Sequence, residues 1–115
     1  MKETAQKYKR QTASRYLPVG AEEITSKIME AEYYGVSTKY DGHFYLLSYD
    51  GNKAALTNHG GTVIDDLPLL KEATALLKGK CKAVVLAGEL YLHKEGERTR
   101  SFDMTAALAD KSAAI

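Results

Sequence analysis

A chain of 115 residues has the length of one domain and can bury a single modest core. Its 44% hydrophobic and 27% charged content excludes a disordered or fibrous class, and no apolar run approaches the ~20 residues of a membrane-crossing helix. Cys81 is the sole cysteine, which rules out an internal disulfide, and residues 1–4 lead into no secretory leader, so a cytoplasmic setting is expected.

The net charge of +1 is unevenly spread. Lys2, Lys7, Lys9, Arg10 and Arg15 face only Glu3, so residues 1–20 carry +4 and the rest −3. Residues 1–20 read as a polar, basic segment, helical in part, that is either a solvated terminus or an arm able to touch a phosphate backbone. Pro18 and Gly20 break the chain before the second unit, 21–115.

Within that unit, Ile24, Ile28, Met29 and Ala31 recur at helical spacing and predict a helix over 22–34, closed by Gly35. The period then changes. Residues 36–39 read as a short strand and 43–49 as a second. Asp50-Gly51 signals a two-residue hairpin turn, with 53–57 returning. Asn58-His59-Gly60-Gly61 is another turn. Pro68 opens a helix with Leu69, Leu70, Ala73, Leu76 and Leu77 on one stripe, ended by Gly79. Residues 83–92 predict a strand in which Val84, Val85 and Leu86 form a buried run. A charged loop, 94–100, precedes a helix over 102–109. The order predicts an α+β class: an antiparallel sheet with flanking helices. No C-cap or closing strand follows, so the unit is expected to be truncated.

Lys39-Tyr40-Asp41-Gly42 carries the chemistry. A lysine at a strand end beside a turn can act as a covalent nucleophile once its amine is neutral. Asp41 can orient that amine or help hold a metal, and Gly42 permits close backbone approach to a ligand. By itself the match is weak, since a surface lysine before a hairpin is the commoner occurrence. His43, His59, His93 and Cys81 have no metal-site spacing, and neither a P-loop nor a Ser-His-Asp arrangement is present.

Three further segments extend the pattern. Val84-Val85-Leu86-Ala87-Gly88-Glu89-Leu90 is an apolar strand ending in Gly-Glu. Phe102 in Arg100-Ser101-Phe102-Asp103 is an aromatic residue at a helix start. Asn58-His59-Gly60-Gly61 is followed by Asp66-Leu67-Pro68. With Lys39, Asp41 and Gly42, their order resembles the covalent nucleotidyltransferases: ATP-dependent DNA ligases, RNA ligases and mRNA capping enzymes. The resemblance spans about residues 34–108. It points to the N-terminal part of a DNA-ligase adenylation domain, a partial ATP-grasp-like nucleotidyltransferase fold.

The resemblance implies a set of roles. Lys39 attacks the α-phosphate of ATP with Mg²⁺ present, lysyl-AMP forms, and AMP passes to a 5′-phosphate of nicked DNA for sealing in replication and repair. Asp41 assists catalysis. Thr38 lies near the adenine, Gly42 against the nucleotide, and Phe102 stacks on the base. Glu89 faces the nucleotide or a metal, and as a buried carboxylate would need such a partner. Lys39, Glu89 and Phe102 should therefore converge on one concave face.

Four positions depart from the pattern. Ser37 stands where ligases place Glu, Phe44 and Asn58 where they place Arg, and Ala87 where an acidic residue is common. Two lost arginines remove charge that binds the nucleotide and lowers the lysine pKa. His43 and His59, beside the vacated positions, can offer hydrogen bonds instead. The alternatives are a non-catalytic nucleotide- or nucleic-acid-binding module of the same fold, an RNA-ligase or capping-enzyme relative, and an unrelated α+β domain with Lys39 exposed and Glu89 on another face. The 115-residue chain alone is expected neither to complete ligation nor to adenylate efficiently. Stable, Lys39-dependent labelling from α-labelled ATP and Mg²⁺ would contradict that expectation.

Overall fold

The computed structural model describes residues 1–13, 19–24 and 37–109. The protein is α+β, with helices α1 (Lys2–Ala13) and the short α2 (Ala21–Glu23), strands β1 (His43–Tyr49), β2 (Ala54–Thr57) and β3 (Val63–Ile64), helix α3 (Pro68–Leu77), strand β4 (Val84–Leu90) and helix α4 (Ser101–Ala109). The strands form one antiparallel sheet in the order β3-β2-β1-β4. Among the described residues no helix is long and apolar enough to cross a membrane.

Alternation along β1 assigns its side chains to two faces. Tyr45, Leu47 and Tyr49 share one face with their register partners Leu56 and Ala54 on β2. Tyr45, Tyr49, Ala54 and Leu56 form the core there with Leu70 of α3, Met104 and Ala107 of α4, and Leu90. Phe44 and Leu46 face the other way. Tyr8 of α1 stacks on Phe44 with ring centroids 5.6 Å apart. Ala5, one turn earlier on that helix face, is fully buried. Helix α1 therefore lies against the second face at Phe44. The Gln6 side-chain amide donates to the His59 carbonyl at 3.1 Å, tying α1 to the β2–β3 turn.

The turns account for the polar residues around the sheet. Tyr49 pairs with Ala54, so the first hairpin loop spans four residues, 50–53, rather than two. Gly51 takes φ +95°, where a side chain would be strained. Asp50 Oδ1 accepts from the backbone N–H of Asn52 at 2.8 Å and Lys53 at 2.9 Å. Those donors, Lys53 first, hold the Asp50 carboxyl below its ordinary pKa. Asn58 Oδ1 accepts from Thr62 N–H at 2.8 Å. Burial pushes the Tyr45 hydroxyl pKa up, against the opposing pull of its hydrogen bond to Asn58.

Several expectations change. The helix expected over 22–34 falls outside the described residues beyond its first turn. Residues 37–41 are not a strand. The β1–β4 ladder ends at the His43–Leu90 pair, so among the described residues the sheet does not extend to them. β3 went unread because two residues are too few to show alternation. Val85 and Leu86 are not buried: each keeps about half its surface (48% and 49%) because β4 is an edge strand.

Candidate functional site

Residues 37–41 run exposed into β1. Beyond β4 the chain leaves the sheet and returns at α4, and this excursion closes on itself. Lys94 and Glu97 form a backbone bridge around Gly96, whose φ is +75°. The Thr99 hydroxyl donates to the Leu92 carbonyl. The two segments wall a cleft of about 630 Å³ just past the last β1–β4 rung. One wall presents Thr38, Lys39, Tyr40 and Asp41. The other presents Tyr91, Lys94, Glu97 and Arg98. Three cationic side chains thus meet two carboxylates in a space suited to a small polyanion.

Gly42, next to Asp41 in the chain, meets the β4 backbone closely. A Cβ there would fall on the Leu90 carbonyl oxygen and within 2.9 Å of the Leu90 carbonyl carbon. Here the glycine admits the β4 backbone. Close approach to a ligand is not needed to account for it.

Not every expected residue gathers here. Thr38, Lys39 and Asp41 share the cleft, whereas Glu89 and Phe102 do not line it. Glu89 pairs with Phe44, one rung inside the sheet end. It borders an apolar trough of about 220 Å³ with Tyr45, Leu47, Leu56 and Leu69. The Glu89 side chain is exposed, so the desolvation that would have demanded a partner does not operate. Phe102 is 69% exposed on the first turn of α4. The expected convergence of Lys39, Glu89 and Phe102 is not found.

The histidines beside the vacated arginine positions serve the fold. His43 Nε2 lies 3.1 Å from both the Ser101 carbonyl and the Thr105 hydroxyl, fastening α4 to β1. His59 contributes its carbonyl to Gln6. Asn58, at the second vacated position, organises its own turn and bonds Tyr45. Arg98 lines the cleft opposite Lys39, while Arg100 does not. The Arg100 N–H is held by Asp103 Oδ2 at 2.7 Å, a reciprocal helix cap. Sequence reasoning singled out neither Lys94 nor Tyr91. Their signal was the charged run after Leu92, whose folding back toward Lys39 no local pattern encodes.

Among the described residues no three His, Cys, Asp or Glu side chains gather as a metal site. Mg²⁺ commonly takes only one or two carboxylates, with substrate phosphates completing its shell. Asp41 and Glu97 offer that chemistry in the cleft. Glu89, expected at the metal, borders the trough instead. Comparison with protein-family models, curated proteins and solved structures gives no match.

Proposed function

We propose that this chain belongs to the adenylation part of an ATP-dependent DNA ligase and that the cleft beside Lys39 receives ATP. The supporting observation is that Thr38, Lys39 and Asp41 share one cleft with Lys94 and Arg98. The ATP-grasp-like nucleotidyltransferase fold is part of the same proposal. Lys94 and Arg98 draw the polyphosphate in, which leaves the Lys39 amine facing the α-phosphorus. For transfer, the lysine first gives up a proton, for which Asp41 is the acceptor in the same cleft. The Nζ–P bond then forms as the bond between the α-phosphorus and its bridging oxygen breaks, and pyrophosphate leaves with that electron pair. Mg²⁺ held by Asp41 and Glu97 would neutralise phosphate charge. Delivery of AMP to nicked DNA rests with the complete protein.

A second reading is a nucleotide-binding module of the same fold without the transfer chemistry. The position of Glu89 and Phe102 outside the cleft favours it. Both readings require ATP in the cleft, and calorimetric titration of the 115-residue chain tests this. Lys94→Ala and Arg98→Ala should each weaken ATP binding about 10-fold, the worth of a charge-assisted hydrogen bond. Wild-type protein that does not bind ATP, or binds it independently of both residues, would sink the two readings together. Lysine modification mapped by mass spectrometry separates the cleft from other surfaces. ATP should shield Lys39 and Lys94 but leave Lys71 on α3 reactive.

A further inference from the structure

With Phe102 outside the cleft, a bound nucleotide needs another surface for its base. The cleft contains one. Tyr40 and Tyr91 stack with ring centroids 4.4 Å apart and an interplanar angle of 19°. Both line the cleft beside Lys39. Tyr91 is half-buried and covers one face of the Tyr40 ring, while Tyr40 keeps 51% of its surface open. We infer that the open face of Tyr40, backed by Tyr91, is a stacking platform for a purine base, an inference that rests on the nucleotide reading above.

Three physical points carry it. A flat ring whose other face is already packed loses little freedom when a base settles on it, so the platform is organised before binding. Aromatic stacking depends on overlap area, which favours a purine over a pyrimidine. Tyr40 directly follows Lys39 in the chain, so base and sugar at the platform leave the phosphates among Lys39, Lys94 and Arg98 in the same cleft. Selectivity for the base and attraction for the phosphates then reside on different residues.

Titration of the full chain with ATP, CTP and inorganic tripolyphosphate tests this. Wild type should bind ATP more tightly than CTP. Tyr40→Ala should weaken ATP binding about 10-fold, a typical loss on removing a base-stacking ring, and leave tripolyphosphate binding unchanged. Tyr40→Phe, which keeps the ring, should retain ATP affinity. Because Tyr40 is half-exposed, the alanine variant is not expected to disturb folding, and circular dichroism checks that it does not. ATP binding by Tyr40→Ala equal to wild type, while still dependent on Lys94 and Arg98, overturns the platform and leaves the nucleotide reading standing. Wild-type protein that binds no ATP overturns both.

Discussion

Gly42→Ala is expected to destabilise the protein by about 1–3 kcal/mol or more, the cost of forcing atoms into filled space. Gly42 is not among the glycines with positive φ, so its backbone conformation alone would accept alanine. The obstacle is the neighbour: the added carbon meets the Leu90 carbonyl group and comes within 3.1 Å of Tyr91 Cβ. Backbone atoms cannot rotate away as a flexible side chain can. Relief requires β1 and β4 to separate at the His43–Leu90 rung, which adjoins the cleft residues Asp41 and Tyr91 in the chain. A lower urea midpoint with unchanged slope, accompanied by weaker ATP binding, is the expected pair of results. Unchanged stability with a loss of binding only would instead show that the glycine serves a ligand.

The second large effect is expected at Leu46, which is 2% exposed and shares the sheet face of Phe44, away from the main core. Leu46→Ala should cost about 2–5 kcal/mol, from lost burial and the cavity left behind. That is a large share of the ~5–15 kcal/mol that holds a typical domain folded. Leu76→Ala on α3 is the matched comparison. Its side chain is 58% exposed, and the change should stay within about 0.5 kcal/mol. Equal midpoints for the two variants in urea would mean that Leu46 is not packed in the folded protein.

The strands and helices that the sequence made legible are those with length and period. His43 to Tyr49 announces itself by aromatic and aliphatic content, and the Pro68 helix by its stripe and opening proline. The buried run expected at Val84 to Leu86 failed because composition states that residues are apolar, not whether another strand lies beyond them. At the candidate cleft, Lys39 and Asp41 were singled out by a local motif and Thr38 by the family resemblance. Tyr91 and Lys94 were not, because they reach Lys39 through the β1–β4 pairing, a contact between segments about fifty residues apart. His43 was read as an offer to a ligand. Its ring is engaged by Ser101 and Thr105, which no local pattern could state.

The fastening of His43 has a consequence for how this surface can change. Its backbone pairs with Leu90 and its ring lies 3.1 Å from the Ser101 carbonyl, so one residue grips both ends of the excursion from 91 to 100. The ends stay fixed whatever lies between them. Lengthening such a loop costs only a logarithmic increment in closure entropy, about 0.6 kcal/mol per doubling. Residues can therefore be added, removed or exchanged there without shifting the register of the sheet or unseating α4. The sheet thus tolerates changes in the length of one cleft wall, while the wall bearing Lys39 runs directly into β1.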